Sequence, residues 1–383
     1  MSISDVAIKG RSSLRQSFAW RWLADSLTQQ QQFSDYAEPL MQMITPNWSS
    51  VYSRARILMV RPESDDVFSL IIRPQKNWAR HTFTGGQHLE LITERDGARH
   101  HRTFSISSSP DYFRKTGLIE LTIRVQPEGK ITPWLRTHFA DGGLANISAA
   151  KGDFRLAASD DNKPLLMIAG GSGITPFRSM LQQLRDRQSD RAVHLLYYAR
   201  NKEQFLFPQE FLRLQNELAD FRVSLMDSSQ LGTITDSHLS RCDFDLSDDD
   251  TRVMICGPTP MIQAAKEVVA GLGASEDRVM FEYFGAAPID QIQGVEGRQY
   301  ISCQSSSTQF ISDSEKPQTL LDLAEQAGLK PVSGCRIGVC HQCICKKQSG
   351  VVYNTKTGQT SDTGPGEIQL CVSVAVSDVA LDL

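Results

Sequence analysis

The 383-residue sequence predicts a multidomain chain: an antiparallel β-barrel, an α/β unit built on a parallel sheet, and a small cysteine-rich unit. Three observations predict it. Short β-rich runs separated by turn residues fill the stretch from Val51 to about Leu156. Strands alternate with helices from Pro164 to about Phe284. Four cysteines, Cys335, Cys340, Cys343 and Cys371, gather near the C-terminus. The length suits two or three domains, each with its own core.

Residues 1 to about 50 read as a helical, amphipathic extension, with Phe18, Trp20, Trp22, Leu23 and Leu27 ahead of the polar run Gln29–Gln32. Such a helix either packs across the domain behind it, the preferred reading, or docks on a partner or membrane face. The barrel runs are Ala55–Val60, Asp66–Arg73, His88–Thr93, Thr103–Ser107 and Leu118–Val125. Two segments in them carry chemistry. One is Arg102-Thr103-Phe104-Ser105; the other is Gly129-Lys130-Ile131-Thr132-Pro133-Trp134-Leu135. An arginine beside a Gly-Lys-x-Thr turn suits a pyrophosphate, because the guanidinium fork bonds phosphate oxygens in pairs. Free N–H groups at the start of a short helix from Thr132 would add to it. Phe104 either offers a ring face to a flat heterocycle or fills the barrel core.

The α/β unit begins with the apolar strand Leu165–Ala169, followed by Gly170-Gly171-Ser172-Gly173-Ile174-Thr175-Pro176, a helix to about Asp186, and a second strand Val193–Ala199. Thr175 is expected as the helix N-cap and Pro176 as the first helical residue. The glycines let a phosphate approach backbone N–H groups at the helix start. A further strand–turn, Val253-Met254-Ile255-Cys256-Gly257-Pro258, is expected beside the first strand in a parallel sheet. Cys256 and Gly257 then fall at the carboxyl edge, where ligands of such sheets bind. The Gly-containing stretch Ala287–Gln299 reads as a linker.

Beyond it, Cys335, Cys340 and Cys343 stand at C-x4-C-x2-C spacing with Cys371 downstream. This is the plant-type pattern for a [2Fe-2S] cluster. A structural zinc site would ordinarily pair two C-x2-C knuckles, and one is present. Gly334 and Gly338 let the loop curl and aim N–H groups at sulfur. With four cysteines available, His341 reads as a solvent-facing loop residue rather than a Rieske-type ligand, and Cys345 as a neighbouring strand residue.

The net charge of −4 and the lack of a long basic run argue against nucleic acid as a partner. No apolar stretch reaches the roughly 18 residues of a membrane span. The N-terminus, MSISDVAIKGRSSLRQ, lacks the apolar core of a secretion signal. Cys242, Cys256, Cys303 and Cys345 show no disulfide framework, so the cytoplasm is expected.

The Arg102–Ser105, Gly129–Leu135, Gly170–Pro176, Cys256–Met261 and Phe281-Glu282-Tyr283-Phe284 motifs stand in the order found in the ferredoxin–NADP reductase superfamily. The C-terminal part resembles plant-type ferredoxins, and the whole resembles reductase components of oxygenase and fatty-acid desaturase systems. The resemblance spans roughly residues 51–383. It implies an FAD-binding barrel over 51–160, an NAD(P)-binding α/β domain over 161–288 and an α+β β-grasp ferredoxin domain over 298–383.

It also implies roles. Arg102 would hold the flavin pyrophosphate, with Gly129 and Thr132 beside it, a feature that favours FAD over FMN. Phe104 stands where the family usually has tyrosine, keeping the stacking and losing a hydroxyl. Ser105 would lie by the reactive flavin nitrogen. Gly171, Gly173 and Thr175 resemble the dinucleotide phosphate loop. Cys256, with Gly257, and Glu282 would flank the stacked rings as catalytic groups with Ser105. Cys335, Cys340, Cys343 and Cys371 would ligate the cluster.

Arg200 and Lys202, just after the second strand, suit a ribose 2′-phosphate, so NADPH is preferred and NADH is an alternative. The implied function is electron transfer from NADPH through FAD and [2Fe-2S] to a protein acceptor, an oxygenase or a membrane fatty-acid desaturase. Alternatives are a reductase for a hybrid-cluster protein, a dihydroorotate dehydrogenase-type electron-transfer subunit and a non-enzymatic redox-sensing module. The long interval from Cys343 to Cys371 argues against the second of these. The intact glycine loop argues against the last.

Overall fold

The computed structural model describes residues 52–284 and 297–383, apart from 77, 79–81, 96–97, 128, 130, 161, 241, 243, 315–316 and 339–340. The expected N-terminal helix, Lys130, most of the expected linker and Cys340 lie outside the described residues.

The barrel strands are β1 (Ser53–Pro62), β2 (Val67–Pro74), β3 (His88–Arg95), β4 (Ala98–Ser105), β5 (Ile119–Arg124) and β6 (Gly143–Ile147). They form one antiparallel sheet in the order β4-β3-β6-β1-β2-β5. The two ends of that order meet through the bridge Ile106↔Leu121, so the sheet closes on itself and leaves little open edge. Phe68, Leu70, Ile72, Leu89, Leu91, Ile119, Leu121 and Ile123 fill the interior. Trp78 is fully buried among them because its indole N–H has a partner, the Ser148 carbonyl at 2.8 Å. Helices α1 (Pro110–Thr116) and α2 (Thr132–His138) close the remaining connections. The sequence reading lacked β6, and it began the fourth strand at Thr103 rather than Ala98.

The second layer is a parallel sheet of β7 (Leu165–Gly170), β8 (Val193–Ala199), β9 (Phe221–Asp227), β10 (Arg252–Gly257) and β11 (Val279–Tyr283), in the order β11-β10-β7-β8-β9. Alternate residues feed two cores. Leu165, Met167 and Ala169 point to one with Tyr197, Met254 and Cys256, whereas Leu166 and Ile168 point to the other with Leu196, Val253 and Ile255. Helices α3 (Ile174–Asp186), α4 (Pro208–Glu217) and α5 (Thr259–Gly271) cover the faces. In α3 the expected cap is displaced. The N-cap is Gly173, and Thr175 lies inside the first turn with its hydroxyl donating to the Ser172 carbonyl at 3.0 Å.

Helix α3 is buried from Ile174 through Leu184 because it lies between its own sheet and the barrel. Its polar residues find partners across that boundary. Gln183 Oε1 accepts from the Gly85 N–H at 2.6 Å, Gln182 Oε1 from the Ser109 N–H at 2.9 Å, and Ser179 donates to the Ser108 carbonyl. Arg178 bridges Glu120 of β5 at 2.7 Å and Glu210 of α4 at 2.9 Å. Burial opposes ionisation of Glu120, but Arg178 and Arg61 outweigh it and hold the carboxyl below its ordinary range.

The third unit pairs β12 (Arg298–Cys303), β13 (Thr308–Asp313), β14 (Ile344–Ser349), β17 (Gly366–Gln369) and β19 (Val379–Leu381) in the order β13-β12-β19-β14-β17. A smaller sheet joins β15 (Val352–Asn354), β16 (Gln359–Thr360) and β18 (Ser373–Ala375). Helix α6 (Leu320–Gln326) packs on the large sheet and is capped by Thr319, whose hydroxyl accepts from the Asp322 N–H at 3.1 Å. Arg298 and Gln299, read as linker, already belong to β12. Among the described residues no helix is long and apolar enough to cross a membrane.

Candidate active site and cluster loop

A cavity of about 450 Å³ lies where the three units meet. The barrel contributes His88, Arg102, Thr103, Phe104, Ser105, Thr122, Arg124 and Thr132; the parallel-sheet unit contributes Ser172, Thr175, Glu282, Tyr283 and Phe284; and the cysteine unit contributes Cys335, Arg336 and Ile337. Seven residues singled out from the sequence therefore converge on one space: Arg102, Phe104, Ser105, Thr132, Thr175, Glu282 and Cys335.

Each is placed by a regular element. Arg102, Phe104 and Ser105 end β4, paired with Leu91, Leu89 and His88 of β3. The Arg102 guanidinium donates to its neighbour's carbonyl at 2.7 Å and to the Gly334 carbonyl at 3.0 Å, one residue ahead of Cys335. Thr132 opens α2, and its hydroxyl accepts from the Gln126 N–H at 2.8 Å, tying down the turn that carries Gly129. A Cβ at Gly129 would stand 2.9 Å from Gln126 Cβ, so the turn needs glycine.

The glycine turn after β7 is held from below. The Tyr197 hydroxyl donates to the Gly171 carbonyl at 3.1 Å and accepts from the Leu206 N–H at 3.0 Å. Burial pushes its pKa well above the ordinary phenol value. Gly171 has φ +54°, and a Cβ there would face the Arg124 guanidinium at 3.7 Å. At Gly173 a Cβ would collide with the Cys256 carbonyl, so this glycine lets the turn pack on β10.

Cys256 is fully buried, and its thiol is pushed far up by burial and then by the Glu282 carboxylate. Cys256 pairs with Ala169 on one side and Glu282 on the other. It stands behind the cavity wall, with Gly257, rather than in it. Arg200 and Lys202 are exposed just past the end of β8, away from the cavity.

The polar atoms of the cavity want a ligand. Thr103 Oγ1, Arg124 Nε and Glu282 Oε2 are buried without a hydrogen-bond partner, and all three belong to residues that line it. A buried orphan of this kind costs about 1–3 kcal/mol unless something satisfies it. A polar cofactor of flavin and pyrophosphate character fits that wall. His88, Thr122, Arg124, Arg336 and Ile337 were missed from the sequence. His88 alone left a signal there, as a polar residue opening an apolar β-run.

The cluster loop has the expected curl. Arg336 at φ +60°, Gly338 at +71° and His341 at +57° all occupy the left-handed region. Such turns point N–H groups inward, and the Ile337 N–H is directed at Cys335 Sγ at 3.5 Å. A Cβ at Gly338 would meet Val372 at 2.8 Å, next to Cys371. Cys371 is carried to the loop by a short turn after β17, where the Leu370 N–H donates to the Cys343 carbonyl at 3.0 Å. Cys343 and Cys371 share a hydrogen bond that lowers the Cys343 thiol to about 7 and raises that of Cys371, and Cys335 is near enough for its charge to be felt at both. Two of the four proposed ligands, Cys343 and Cys371, thus meet directly, and soft thiolates of this kind suit iron–sulfur ligation. His341 is exposed, with Nδ1 2.9 Å from Gln369 Nε2. Cys345 is a buried β14 residue whose thiol burial pushes up to about 11.

Comparison with known proteins agrees with this division. Residues 57–156 match the oxidoreductase FAD-binding domain, 167–267 the oxidoreductase NAD-binding domain and 300–376 the 2Fe-2S iron–sulfur cluster binding domain. The chain is 29% identical over 345 residues to an NADPH oxidoreductase of Mycobacterium tuberculosis, spanning 90% of this chain and 87% of the relative. It is 25% identical over 362 residues to the glycine betaine monooxygenase reductase subunit of Chromohalobacter salexigens, spanning 88% and 97%. Among solved structures, phthalate dioxygenase reductase shares the fold with a TM-score of 0.59 at 21% identity, over 87% of this chain and 98% of that one.

Proposed function

Because this chain belongs to the ferredoxin–NADP reductase superfamily and carries a plant-type [2Fe-2S] domain at its C-terminus, we propose that it takes electrons from NADPH and hands them to a partner oxygenase or membrane fatty-acid desaturase. It is an electron-transfer reductase with FAD-binding, NAD-binding and 2Fe-2S domains. The observation that carries the proposal is the shared cavity, where the wall of the flavin site is completed by Cys335, Arg336 and Ile337 of the cluster loop. The domain boundaries we propose are 51–160, 161–288 and 298–383, after an N-terminal extension.

The bound groups supply the redox chemistry: hydride acceptance by FAD and carriage of single electrons by the cluster. The protein's share is to hold and align them. Arg102 and Thr132 would hold the pyrophosphate, Phe104 would lie against the flat ring, and Ser105 would face its reactive edge. Gly171, Gly173 and Thr175 would admit the dinucleotide phosphates, with Arg124 adding a half-buried cation beside Gly171. Glu282 would face the nicotinamide side, with Cys256 and Gly257 packed behind it. Cys335, Cys340, Cys343 and Cys371 would ligate the cluster.

NADPH is favoured over NADH because Arg200 and Lys202 stand exposed just past the end of β8. Cations there suit a 2′-phosphate. An M. tuberculosis relative is named as an NADPH oxidoreductase, and the C. salexigens relative as a monooxygenase reductase subunit, which supports an oxygenase-type acceptor. An iron–sulfur site together with the thiols of Cys242, Cys256 and Cys303 suits a reducing compartment, the cytoplasm.

The test is the visible spectrum of the purified protein under argon during stepwise addition of NADPH and, separately, NADH. Flavin bands and a broad cluster absorbance that both bleach with NADPH are expected. A colourless protein would sink the proposal, and rapid bleaching by NADH alone would overturn the cofactor preference.

A further inference from the structure

Glu282 is carried by β11 of the nucleotide domain, yet its carboxylate is met by a side chain of the barrel. His88 Nδ1 lies 3.3 Å from Glu282 Oε1, with the two side chains only 9% and 18% exposed. Both line the cavity. The second oxygen, Oε2, is buried and has no partner in the protein. One oxygen of the carboxylate is therefore engaged across the domain boundary and the other is left for something in the cavity.

His88 is unusually well seated for a residue with no motif of its own. Its N–H donates to the Lys151 carbonyl at 3.0 Å, and its carbonyl accepts from the Lys151 N–H at 2.8 Å, which fixes the backbone. Across the ladder it pairs with Ser105. Its ring rests over Gly152, where a Cβ would stand 2.7 Å from the imidazole. Replacing that glycine would push the ring off its place. Ser105, His88 and Glu282 thus form a row that begins in the barrel and ends in the nucleotide domain, with Cys256 in register behind Glu282.

We propose that His88 is a positioning residue for nucleotide oxidation: it orients the Glu282 carboxylate so that Oε2 accepts a hydrogen bond from an N–H group of a ring bound in the cavity. The imidazole–carboxylate contact then adds to the α3 network one point of alignment close to the reacting rings. The inference deepens the electron-transfer reading and rests on it.

The experiment uses the full chain and compares wild type with His88→Phe, His88→Ala, His88→Asn, Glu282→Gln and the double variant His88→Ala/Glu282→Gln. Two readouts are taken: the rate of flavin bleaching after rapid mixing with NADPH, and the difference spectrum that NADP⁺ induces in the oxidised flavin, which needs no turnover. His88→Phe is expected to keep its flavin and cluster absorbance, bleach about ten- to hundredfold more slowly and lose most of the difference spectrum, as a small misplacement near the reacting atoms would cause. His88→Asn, which can still donate, is expected to recover most of both. In the double variant the losses should not add, since the two side chains act together.

His88→Phe matching wild type in both readouts overturns the inference, as do Phe and Asn variants that are equally impaired. If His88→Phe does not fold, additive losses in the His88→Ala and Glu282→Gln cycle overturn it in the same way. A wild-type protein that neither NADPH nor NADH bleaches would sink the electron-transfer reading and this inference together. An active wild type with an unaffected His88→Phe sinks the inference alone.

Discussion

The barrel meets its two neighbours by different means. Against the nucleotide domain it presents Glu120, Ser107, Ser108, Ser109 and Gly85 to a helix whose polar side chains are buried and matched one by one, with Arg178 between Glu120 and Glu210 at its centre. Against the ferredoxin domain it presents the rim of a cavity, with Arg102 reaching the Gly334 backbone carbonyl. The first boundary cannot open without exposing paired charges that were desolvated together. At the second, Arg102 reaches a backbone carbonyl at the edge of the cavity. The difference follows the chemistry each must serve. Hydride transfer requires two rings held within bonding reach. Passing single electrons to a cluster makes no bond, so it tolerates a looser wall.

Breaking the looser side alone should have the largest functional effect. Cys371→Ser removes a ligand brought from a distant turn. It is expected to abolish cytochrome c reduction, which needs the cluster, while ferricyanide reduction at the flavin stays within about twofold, because the cofactor groups act in series. Parallel loss of both activities would mean that the ferredoxin domain supports the flavin site more than the comparison allows.

Breaking the tighter side should appear first in stability. Arg178 is 7% exposed, and Arg178→Met removes the cation that Glu120 and Glu210 share, leaving Arg61 alone beside Glu120. A loss of about 3–5 kcal/mol is expected, read as a lowered first transition in calorimetry. Hydride transfer and cluster reduction should fall together, unlike in Cys371→Ser. An unshifted transition would show that the boundary is held by apolar packing of α3 alone.

The same network predicts a pH dependence with a definite sign. The Glu120 carboxyl is held below its ordinary value in the folded protein. Its contribution is therefore fully present above the unfolded carboxyl pKa of about 4.3 and is lost as pH falls through the lower folded value. Urea unfolding followed from pH 6 downward should show stability declining more steeply below about pH 4.3 in wild type than in Glu120→Gln. Equal slopes would remove Glu120 from the account of this boundary.

Much of this was legible in the sequence, for physical reasons that also mark where it ends. The parallel strands were legible because both faces are covered, so Leu165–Gly170 is apolar throughout and Val193–Ala199 is so apart from His194 and the tyrosine hydroxyls. β6 was not, since it opens on Gly143 and two of its five residues are exposed. Of the motif residues on β4, α2 and the glycine turn, Arg102, Phe104, Ser105, Thr132 and Thr175 line the cavity. Arg178, Gln182 and Gln183 look like the outer face of an ordinary helix until the barrel supplies their partners, and nothing local to α3 announces that. His88 and Arg124 were missed for the same reason: what makes them notable is a partner far away in the chain. The cap of α3 went to Gly173 instead of Thr175 because the turn must pack against β10, and tertiary contact outweighed the preference for a hydroxyl cap.

The smallest expected effect isolates the barrel's own contribution, apart from either boundary. Phe104 lies on the cavity wall and also packs against the barrel core. Its ring replaces the tyrosine common in the superfamily, so Phe104→Tyr adds one hydroxyl at a place already shaped for an aromatic ring. A net hydrogen bond is worth about 0.5–1.5 kcal/mol, so the dissociation constant for FAD, measured by flavin fluorescence, should fall by no more than about tenfold. Neither the Arg178 network nor the Arg102–Gly334 contact includes Phe104, so thermal stability of the apoprotein and the ratio of cytochrome c to ferricyanide reduction should stay as in wild type. Weaker flavin binding in Phe104→Tyr would show that the ring's edge abuts apolar core rather than the cofactor. A changed activity ratio would show that the flavin's seat in the barrel sets how well it reaches the cluster, and the two boundaries would then have to be treated as coupled.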